Sequence, residues 1–493
     1  MNTDINETAR LLPENSCNQQ LYGSSKQTGP CGVDNLRNTD GDQDAKIVNS
    51  NYQVEDETSQ NSAVTIFSFW NMLMGTSLLS MPWAFQQAGM AQGIIVQVVM
   101  CGLAVYTAYL LLIASEKLTD PVTKKAPEYT EMCRNLVGRW AEWLNILAST
   151  VILASALIVY WILMVELLYN AVNSVYYFAG GLNNIHHSNV TNLTGEFDNE
   201  RCMVQEKTFS YDPSSSLIPG WNKNLTVPLL FIPIFLPILL LKKMSFFAKL
   251  GALGALSVFA LMSIVFVKYV QWGWNADFAN TKNKHYIPQI LGSFPSLSGL
   301  LGMAYFIHNS VTTIFKHNRN QGNNVRDLKI AYMLVLITYM FIGLGVYLTF
   351  PLQKSCIKQN FLENLPWNDY LSLAVQVLLF LRMVTVYPIV AYILRVQIFA
   401  ALVGNEYPGK FYVFVFNIII MAACVLCAIF YPNIGDIIRY AGAFCAMALM
   451  FILPCAIHVI LLRRDQSLSK VSCFIHFLIA VVGVINFVAQ FTL

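Results

Sequence analysis

The sequence has 493 residues, of which 55% are hydrophobic and only 12% are charged, and its formal net charge is +3. Because soluble globular domains carry about 25% charged residues, this composition and a mean hydropathy of +0.49 exclude an ordinary soluble domain and indicate an integral membrane protein. The net charge excludes no class of partner, since the positions of charges matter more than their sum in a membrane protein.

The segment 1–62 is polar and acidic, and it has no apolar stretch of the kind found in a secretory signal peptide. Such a composition cannot bury enough apolar surface to offset the entropic cost of ordering, so we expect a disordered cytosolic tail. Near its start, Glu7 precedes the pair Leu11 and Leu12 by four positions. This spacing resembles the acidic dileucine sorting signals that clathrin adaptors bind in flexible peptides, and we expect such an adaptor as a partner.

Eleven apolar segments follow the tail, and about 20 helical residues are needed to cross a bilayer. The segments lie at 63–88, 92–114, 140–178, 226–241, 246–272, 296–316, 328–350, 370–400, 411–431, 437–462 and 473–492. We therefore predict an all-α integral membrane protein with eleven transmembrane helices. A first five-helix repeat is predicted at 63–272, a second at 296–464 and the eleventh helix at 465–493.

Basic residues predict the orientation of these helices. Clusters of Lys and Arg follow the second, fourth, sixth and tenth segments, and cytosolic loops carry an excess of basic residues. All four clusters lie on one side of the membrane if the N-terminus is cytosolic. An odd number of spans then places the C-terminus in the lumen.

The predicted lumenal loop 179–225 carries three Asn-x-Ser/Thr sequons, at Asn189, Asn192 and Asn224. We expect glycosylation at all three, although Asn224 lies close to the next span, where a chance sequon is the alternative. Cys202 and Cys356 are the cysteines in predicted lumenal loops. An oxidising lumen favours a disulfide between them, with two free thiols as the alternative.

Two of the apolar segments contain residues that weaken a membrane helix, at 71–77 in the first segment and at 299–309 in the sixth. Transporters use such breaks to expose backbone groups near the middle of the bilayer, in corresponding helices of two inverted halves. We therefore predict that helices one and six are broken and together form a binding site. Helix packing by small residues is the alternative for each break.

The side chains in these segments suit an amino acid zwitterion. The N-terminus of a half-helix carries unpaired N–H groups that suit a carboxylate. Freed carbonyls and hydroxyls suit an ammonium group or a sodium ion. Asn71, Thr76 and Ser77 supply oxygen atoms on the first segment, and Thr385 supplies a hydroxyl on the eighth, which Pro388 interrupts.

Ionisable residues at membrane depth are functional candidates by default. Glu166, in the third segment, either faces a central cavity or reaches the lumenal boundary. His308 either couples transport to pH or is an interior histidine with satisfied hydrogen bonds. Arg382 lies deep in the eighth segment and has no partner that the sequence identifies.

The chain has no enzyme signature of the GxSxG, HExxH or Walker A type, and no cluster of carboxylates with a plausible base. We therefore expect no catalytic residues. We expect amino acids and membrane lipids as partners, and no nucleic acid.

Four stretches carry a family resemblance: WNMLMGTSLLSMPW, YFIHNSVTTIFKHNRNQGNNVRDLKIAYML, MVTVYPIVAYILRVQ and FYPNIGDIIRYAGA. They resemble the amino acid/auxin permease superfamily, and within it the lysosomal sodium-coupled neutral amino acid transporters, from about residue 62 to the C-terminus. The resemblance implies a LeuT-like fold with an inverted five-plus-five repeat. It also implies lysosomal and late endosomal residence, arginine as a ligand, and export of essential amino acids such as leucine.

The resemblance also implies roles for individual residues. Asn71 and Thr385 match positions expected to handle a sodium ion, and Thr76 matches a position expected to handle substrate. The predicted substrate-binding set is Met74, Gly75, Thr76, Ser77 and Gly302.

Members of this family also report amino acid sufficiency to TORC1 through a cytosolic tail that binds the Ragulator–Rag GTPase complex. The tail of this chain lacks the Tyr- and Pro-rich segment expected before the first span. We therefore predict a lysosomal amino acid transporter driven or gated by sodium or protons. Two alternatives stay open: a non-transporting arginine sensor that acts through Ragulator–Rag, and a plasma-membrane neutral amino acid symporter.

Overall fold

The structure is a computed structural model that describes residues 60–119, 126–179, 220–241, 253–366 and 368–492. Within these ranges it has helices and two isolated β-bridges but no β-strand. The predicted all-α class therefore agrees with the described part of the chain. The predicted sorting signal and most of the predicted lumenal loop 179–225 lie outside the described residues.

The helices are labelled in chain order. They are α1 (Ser62–Leu73), α2 (Ser77–Ala88), α3 (Met90–Leu118), α4 (Tyr129–Met132), α5 (Arg139–Phe178), α6 (Thr226–Leu239), α7 (Leu253–Trp272), α8 (Pro295–Ala304), α9 (His308–Lys316), α10 (Asn324–Thr349), α11 (Tyr370–Val403), α12 (Lys410–Phe430), α13 (Ile434–Cys445), α14 (Leu453–Arg464) and α15 (Lys470–Ala489). A π-helical turn, Ala446–Ile452, joins α13 to α14.

Each of the eleven predicted segments coincides with a helix, a pair of helices or part of one. By length and composition, eight helical stretches of the described chain can cross a membrane, and a ninth span results if the bent pair α1 and α2 counts as one. α6 is apolar but has only 14 residues. The chain is thus a multi-pass membrane protein, while the count of eleven spans and the inverted repeat stay predictions.

The outer surface of the long helices is apolar. Phe266, Val270, Leu402 and Phe477 are each more than half exposed. Monomeric soluble proteins rarely expose contiguous apolar patches of this kind. The same surface is favourable against lipid tails, which agrees with a membrane-spanning bundle.

The first predicted break lies between α1 and α2. α1 ends at Leu73, α2 begins at Ser77, and the two axes meet at 63°. The amide of Gly75 donates to Leu73 O at 2.8 Å instead of continuing the i to i−4 pattern. The break is narrower than the predicted 71–77, because Asn71 lies within the last turn of α1.

The second break lies between α8 and α9, where Tyr305, Phe306 and Ile307 leave the helix. The glycines that suggested it lie earlier, inside α8. A Cβ at Gly302 would lie 2.6 Å from Gly442 O on α13, so this glycine permits close helix packing. The sequence predicted a break in this segment, but the break begins three residues after Gly302.

Replacing Gly302 with Ala tests this close approach. We expect Gly302→Ala to lower the stability of the protein by about 1–3 kcal/mol, because an added carbon overpacks the contact between α8 and α13. The measurement is the thermal unfolding midpoint in detergent. Gly322→Ala is the matched control, since a Cβ at Gly322 would meet no atom within 4 Å. Equal midpoints for the two variants would contradict the packing role.

Candidate functional site

One hydroxyl group joins the two helix breaks. Tyr339 on α10 is fully buried, and its hydroxyl donates toward Leu73 O at 2.7 Å and toward Ala304 O at 3.0 Å. These carbonyls belong to the last residues of α1 and α8, where the helical i+4 donor is missing. The single Tyr339 hydroxyl hydrogen is therefore shared between the two helix ends, and this contact holds the two breaks side by side.

Two further tyrosines surround this contact. The Tyr332 hydroxyl donates to Tyr305 O in the second break at 3.2 Å, and the Tyr305 hydroxyl accepts from Gln97 Nε2 at 2.9 Å. Sequence reasoning missed all three tyrosines. A signal was present, because Tyr332 and Tyr339 are seven residues apart and thus lie on one face of α10.

The guanidinium of Arg382 lies at the first break. Its Nη2 donates to Met74 O and, at 3.4 Å, to Asn71 O. Its Nη1 donates to Gly254 O at 3.2 Å and to Ser257 Oγ at 3.3 Å on α7. No described carboxylate forms an ion pair with Arg382. The partners that the sequence could not identify are therefore neutral oxygen atoms, most of them backbone carbonyls.

Thr76 and Ser77 lie at the start of α2 and are buried. Their hydroxyls make no hydrogen bond to any residue that the structure describes, so α2 has no side-chain cap at its N-cap residue, Thr76. The amides of Thr76, Ser77 and Leu78 likewise have no backbone acceptor among those residues. Helix N-termini with free amides attract anions, so this end of α2 suits a carboxylate.

Gly75 is half-buried between these groups. A Cβ at this position would have only Leu73 O within 4 Å, at 3.9 Å. Met74, by contrast, is fully buried, and its carbonyl accepts from Arg382. The break thus has open space beside Gly75, while Met74 contributes a backbone oxygen rather than an accessible side chain.

The predicted sodium ligands are Asn71 and Thr385. Asn71 Oδ1 is buried without a hydrogen-bond donor, which by itself suits a hard cation. The Thr385 hydroxyl donates to Arg382 O at 2.8 Å, which leaves its own lone pairs free. The carbonyls of Asn71 and Met74 accept from the Arg382 guanidinium, so these oxygens are not available to a sodium ion in this arrangement. The residues therefore do not fit sodium as they stand.

Glu166 belongs to a separate cluster. Its Oε1 lies 3.6 Å from Lys223 Nζ, and its Oε2 accepts from Asn360 Nδ2 at 2.9 Å. Lys223 also pairs closely with Glu363, which lies in the connection between α10 and α11. Of the two readings of Glu166, these contacts favour the predicted lumenal boundary over a central cavity.

His308 is the first residue of α9 and is fully buried. Its Nε2 lies 3.0 Å from Thr107 Oγ1 on α3. Its Nδ1 has no hydrogen-bond partner in the described part of the chain. These contacts tie the second break to α3, and the reading of His308 as a pH-coupling group stays a prediction.

The other predicted site residues lie away from the breaks. Gly302 packs against α13, and its predicted role in substrate binding stays a prediction. Cys356 is disulfide-bonded, while its predicted partner Cys202 lies outside the described residues. Asn224 is exposed just before α6, as glycosylation requires. Further residues outside the described ranges are Asn189, Asn192, Glu7, Leu11 and Leu12.

Replacing Tyr339 with Phe tests the contact that joins the breaks. We expect Tyr339→Phe to lower stability by about 1–3 kcal/mol, because buried carbonyls lose their donor. Thermal unfolding in detergent measures this. The matched control is Tyr347→Phe on the same helix, since the Tyr347 hydroxyl is also buried but has no partner among the described residues. If both variants unfold at the same temperature, the contact contributes nothing.

The cluster around Lys223 predicts a pH dependence. Burial opposes ionisation of Glu363, but the Lys223 and Lys358 ammonium groups lower its pKa below the ordinary 4.5. A carboxyl with a lowered pKa stabilises the fold above its ordinary pKa, and this contribution is lost as the pH falls through the lowered value. We therefore expect Lys223→Met to lower the unfolding temperature at neutral pH, with a difference from the unmodified protein that shrinks below pH 4.5.

Thermal unfolding across a pH series measures this effect. Lys282→Met is the control, because Lys282 is exposed and takes no part in the cluster. A stability difference for Lys223→Met that stays constant from neutral to acid pH would show that its ion pairs with Glu166 and Glu363 do not stabilise the fold.

Comparison with known proteins gives one family. The sequence profile described as "Transmembrane amino acid transporter protein" matches residues 60–492. "Neutral amino acid transporter 9" of Rattus norvegicus is 39% identical over 447 residues, which cover 87% of this chain and 79% of the relative. The Danio rerio protein of the same name is 39% identical over 448 residues, covering 87% and 80%. The "Sodium-coupled neutral amino acid transporter 9 homolog" of Caenorhabditis elegans is 36% identical over 468 residues, covering 88% and 74%.

Proposed function

The chain belongs to the family of transmembrane amino acid transporters, and we propose that its substrate binds between the two helix breaks. The observation that carries this proposal is the pairing of the breaks by Tyr339. Broken helices are tolerated at membrane depth where protein covers them or where they line a cavity. We propose that the two breaks, held together in this way, line such a cavity and offer it backbone donors and acceptors.

The chemistry of the breaks suits the two charges of an amino acid. The free amides of Thr76 and Ser77 at the N-terminus of α2 would bind the α-carboxylate, and the Thr76 hydroxyl would add a further donor. In the second break, the Phe306 carbonyl would accept from the α-ammonium group, whereas the Ile307 carbonyl already accepts from the Ser310 amide. The open space beside Gly75 would admit the substrate backbone.

For the substrates, we propose neutral essential amino acids such as leucine, together with arginine. The printed names of the rat and zebrafish relatives refer to neutral amino acids, and arginine follows from the family resemblance. We place the protein in lysosomal and late endosomal membranes with a cytosolic N-terminus and a lumenal C-terminus. Net export toward the cytosol would release amino acids from the lysosome.

We propose transport rather than sensing as the primary activity. A sensor that acts through Ragulator–Rag GTPases on TORC1 needs a tail that captures them, and the segment 1–62 lacks the Tyr- and Pro-rich stretch expected for this. The first break, in contrast, has groups that suit a substrate whether or not the tail has a partner. They are the amides of Thr76 and Ser77, which have no backbone acceptor among the described residues. Signalling would therefore be an addition to transport in this chain.

The coupling ion is a separate question. The name of the nematode relative includes sodium coupling, and sodium was the cofactor predicted for Asn71 and Thr385. We propose no sodium-dependent transport step, because the Arg382 guanidinium already bonds the Asn71 and Met74 carbonyls beside the predicted ligand Asn71.

Uptake into proteoliposomes tests the proposal. Purified full-length protein is reconstituted, and labelled leucine and arginine are offered while sodium and pH are varied independently. We expect saturable uptake of at least one of them that an excess of the unlabelled amino acid abolishes. Absence of saturable uptake under every ion gradient would contradict the proposed function.

Enlarging Thr76 tests the position of the site. We expect Thr76→Trp to abolish uptake, because an indole at the start of α2 would fill the space between the breaks. Uptake and thermal unfolding are measured on the same preparation, so that loss of flux is separated from loss of fold. Ile95→Trp on α3 is the control, since Ile95 is 62% exposed. Unchanged uptake by a folded Thr76→Trp protein would place the substrate elsewhere.

A further inference from the structure

Arg382 is a half-buried cation without an acidic partner among the described residues. Its two terminal nitrogens instead contact four neutral oxygens: Met74 O, Asn71 O, Gly254 O and Ser257 Oγ. Arginine stays protonated in proteins, so a positive charge lies permanently at the first break. A set of carbonyl and hydroxyl oxygens around one charge is the environment that a bound alkali ion would have.

The position of the break explains why a cation is stable there. Asn71 and Met74 lie at the C-terminal end of α1, where the helix dipole places a partial negative charge and the carbonyls lack their helical donors. In the low dielectric of a membrane, neither these carbonyls nor a lone charge is tolerated unpaired. The guanidinium and the open helix end therefore satisfy each other.

Gly254 on α7 borders the Arg382 side chain. A Cβ at Gly254 would lie 3.4 Å from both Arg382 Nε and Asn71 Oδ1. These are ordinary contact distances, so α7 at Gly254 lies directly against both the guanidinium and the Asn71 side chain. The unpartnered Asn71 Oδ1 borders the same space, as a further oxygen beside the charge.

A guanidinium and a sodium ion cannot share these oxygens. A sodium ion bound beside Asn71 would lie next to the guanidinium that bonds the Asn71 and Met74 carbonyls, and like charges so close together repel strongly in a low dielectric. The charge that a coupling ion would bring to the break is therefore already part of the chain. Unlike a bound ion, this charge cannot leave the protein, since the side chain is covalently attached.

We propose that Arg382 is the resident cation of the first break and replaces the coupling sodium ion, so that this chain binds and moves amino acids without sodium. The expectation that amino acids are transported without sodium rests on the proposed transport function. The expectation that sodium binds only when Arg382 is replaced rests on the contacts of Arg382 alone. Replacing Arg382 with a neutral residue leaves the oxygens unpaired and creates a site that a free sodium ion fills.

Thermal unfolding in detergent tests the binding consequence on the full chain. The unmodified protein, Arg382→Gln and Arg382→Lys are compared in sodium chloride and in N-methylglucamine chloride of equal ionic strength. We expect the same unfolding temperature in both salts for the unmodified protein and for Arg382→Lys, which keeps the charge. We expect Arg382→Gln to unfold at a higher temperature in sodium.

Arg395→Gln is the matched control. Arg395 lies on the same helix, is buried, and also donates to a backbone carbonyl, Leu239 O at 2.8 Å, but it is bonded to α6 rather than to the break. We expect no sodium-specific change for this variant. A sodium-specific rise in the Arg395→Gln variant equal to that of Arg382→Gln would overturn the assignment of the effect to the first break.

Two results would overturn the proposal directly: a sodium-specific rise in the unmodified protein, or a folded Arg382→Gln protein without one. If Arg382→Gln does not fold, the unmodified protein and Arg382→Lys still test the proposal. A sodium-specific rise of the unfolding temperature in either of them contradicts a resident cation.

Uptake of leucine in proteoliposomes gives the second readout. We expect the unmodified protein to be indifferent to replacement of sodium, and Arg382→Gln to lose about tenfold in flux without sodium, as expected for the loss of charge-assisted hydrogen bonds. Sodium-dependent flux in the unmodified protein would overturn the inference. If no protein shows flux in any salt, the proposed function fails while the unfolding experiment still decides the role of Arg382.

Discussion

Backbone groups that leave a helix inside a membrane need another partner, because lipid offers no hydrogen bonds. This constraint governs the paired helix breaks, where the last residues of α1 and α8, Leu73 and Ala304, are both buried within the helices. The Tyr339 hydroxyl is the partner of the Leu73 and Ala304 carbonyls, and it so fixes the distance between the two breaks. The free amides of α2, the open space beside Gly75 and the access of Arg382 all depend on that arrangement.

The two sides of the first break are satisfied differently. The carbonyl side has permanent donors, the Tyr339 hydroxyl and the Arg382 guanidinium, which a substrate need not replace. The amide side, at Thr76 and Ser77, has no acceptor among the described residues. A ligand with a carboxylate would complete this side, which is why the arrangement suits an amino acid.

Apolar runs located the helices well, since a span of suitable length and hydropathy has few alternatives. The polar residues of the first segment also predicted its break, because Thr76, Ser77 and Gly75 have no reason to lie in a lipid-facing helix. Gly302 was less informative, since glycine serves close packing as readily as it serves a break. The partners of Arg382 and Tyr339 could not be predicted: they are mostly backbone carbonyls, which every residue has, and Tyr339 lies 266 residues from Leu73.

The most direct test of the central claim is the position of the substrate. A cryo-electron microscopy structure of the full chain with leucine in excess would show it. We expect ligand density between the two breaks, in contact with the amides of Thr76 and Ser77 and with the Tyr339 contact intact. Ligand density outside both breaks, with the amides of α2 bonded to protein groups, would contradict it.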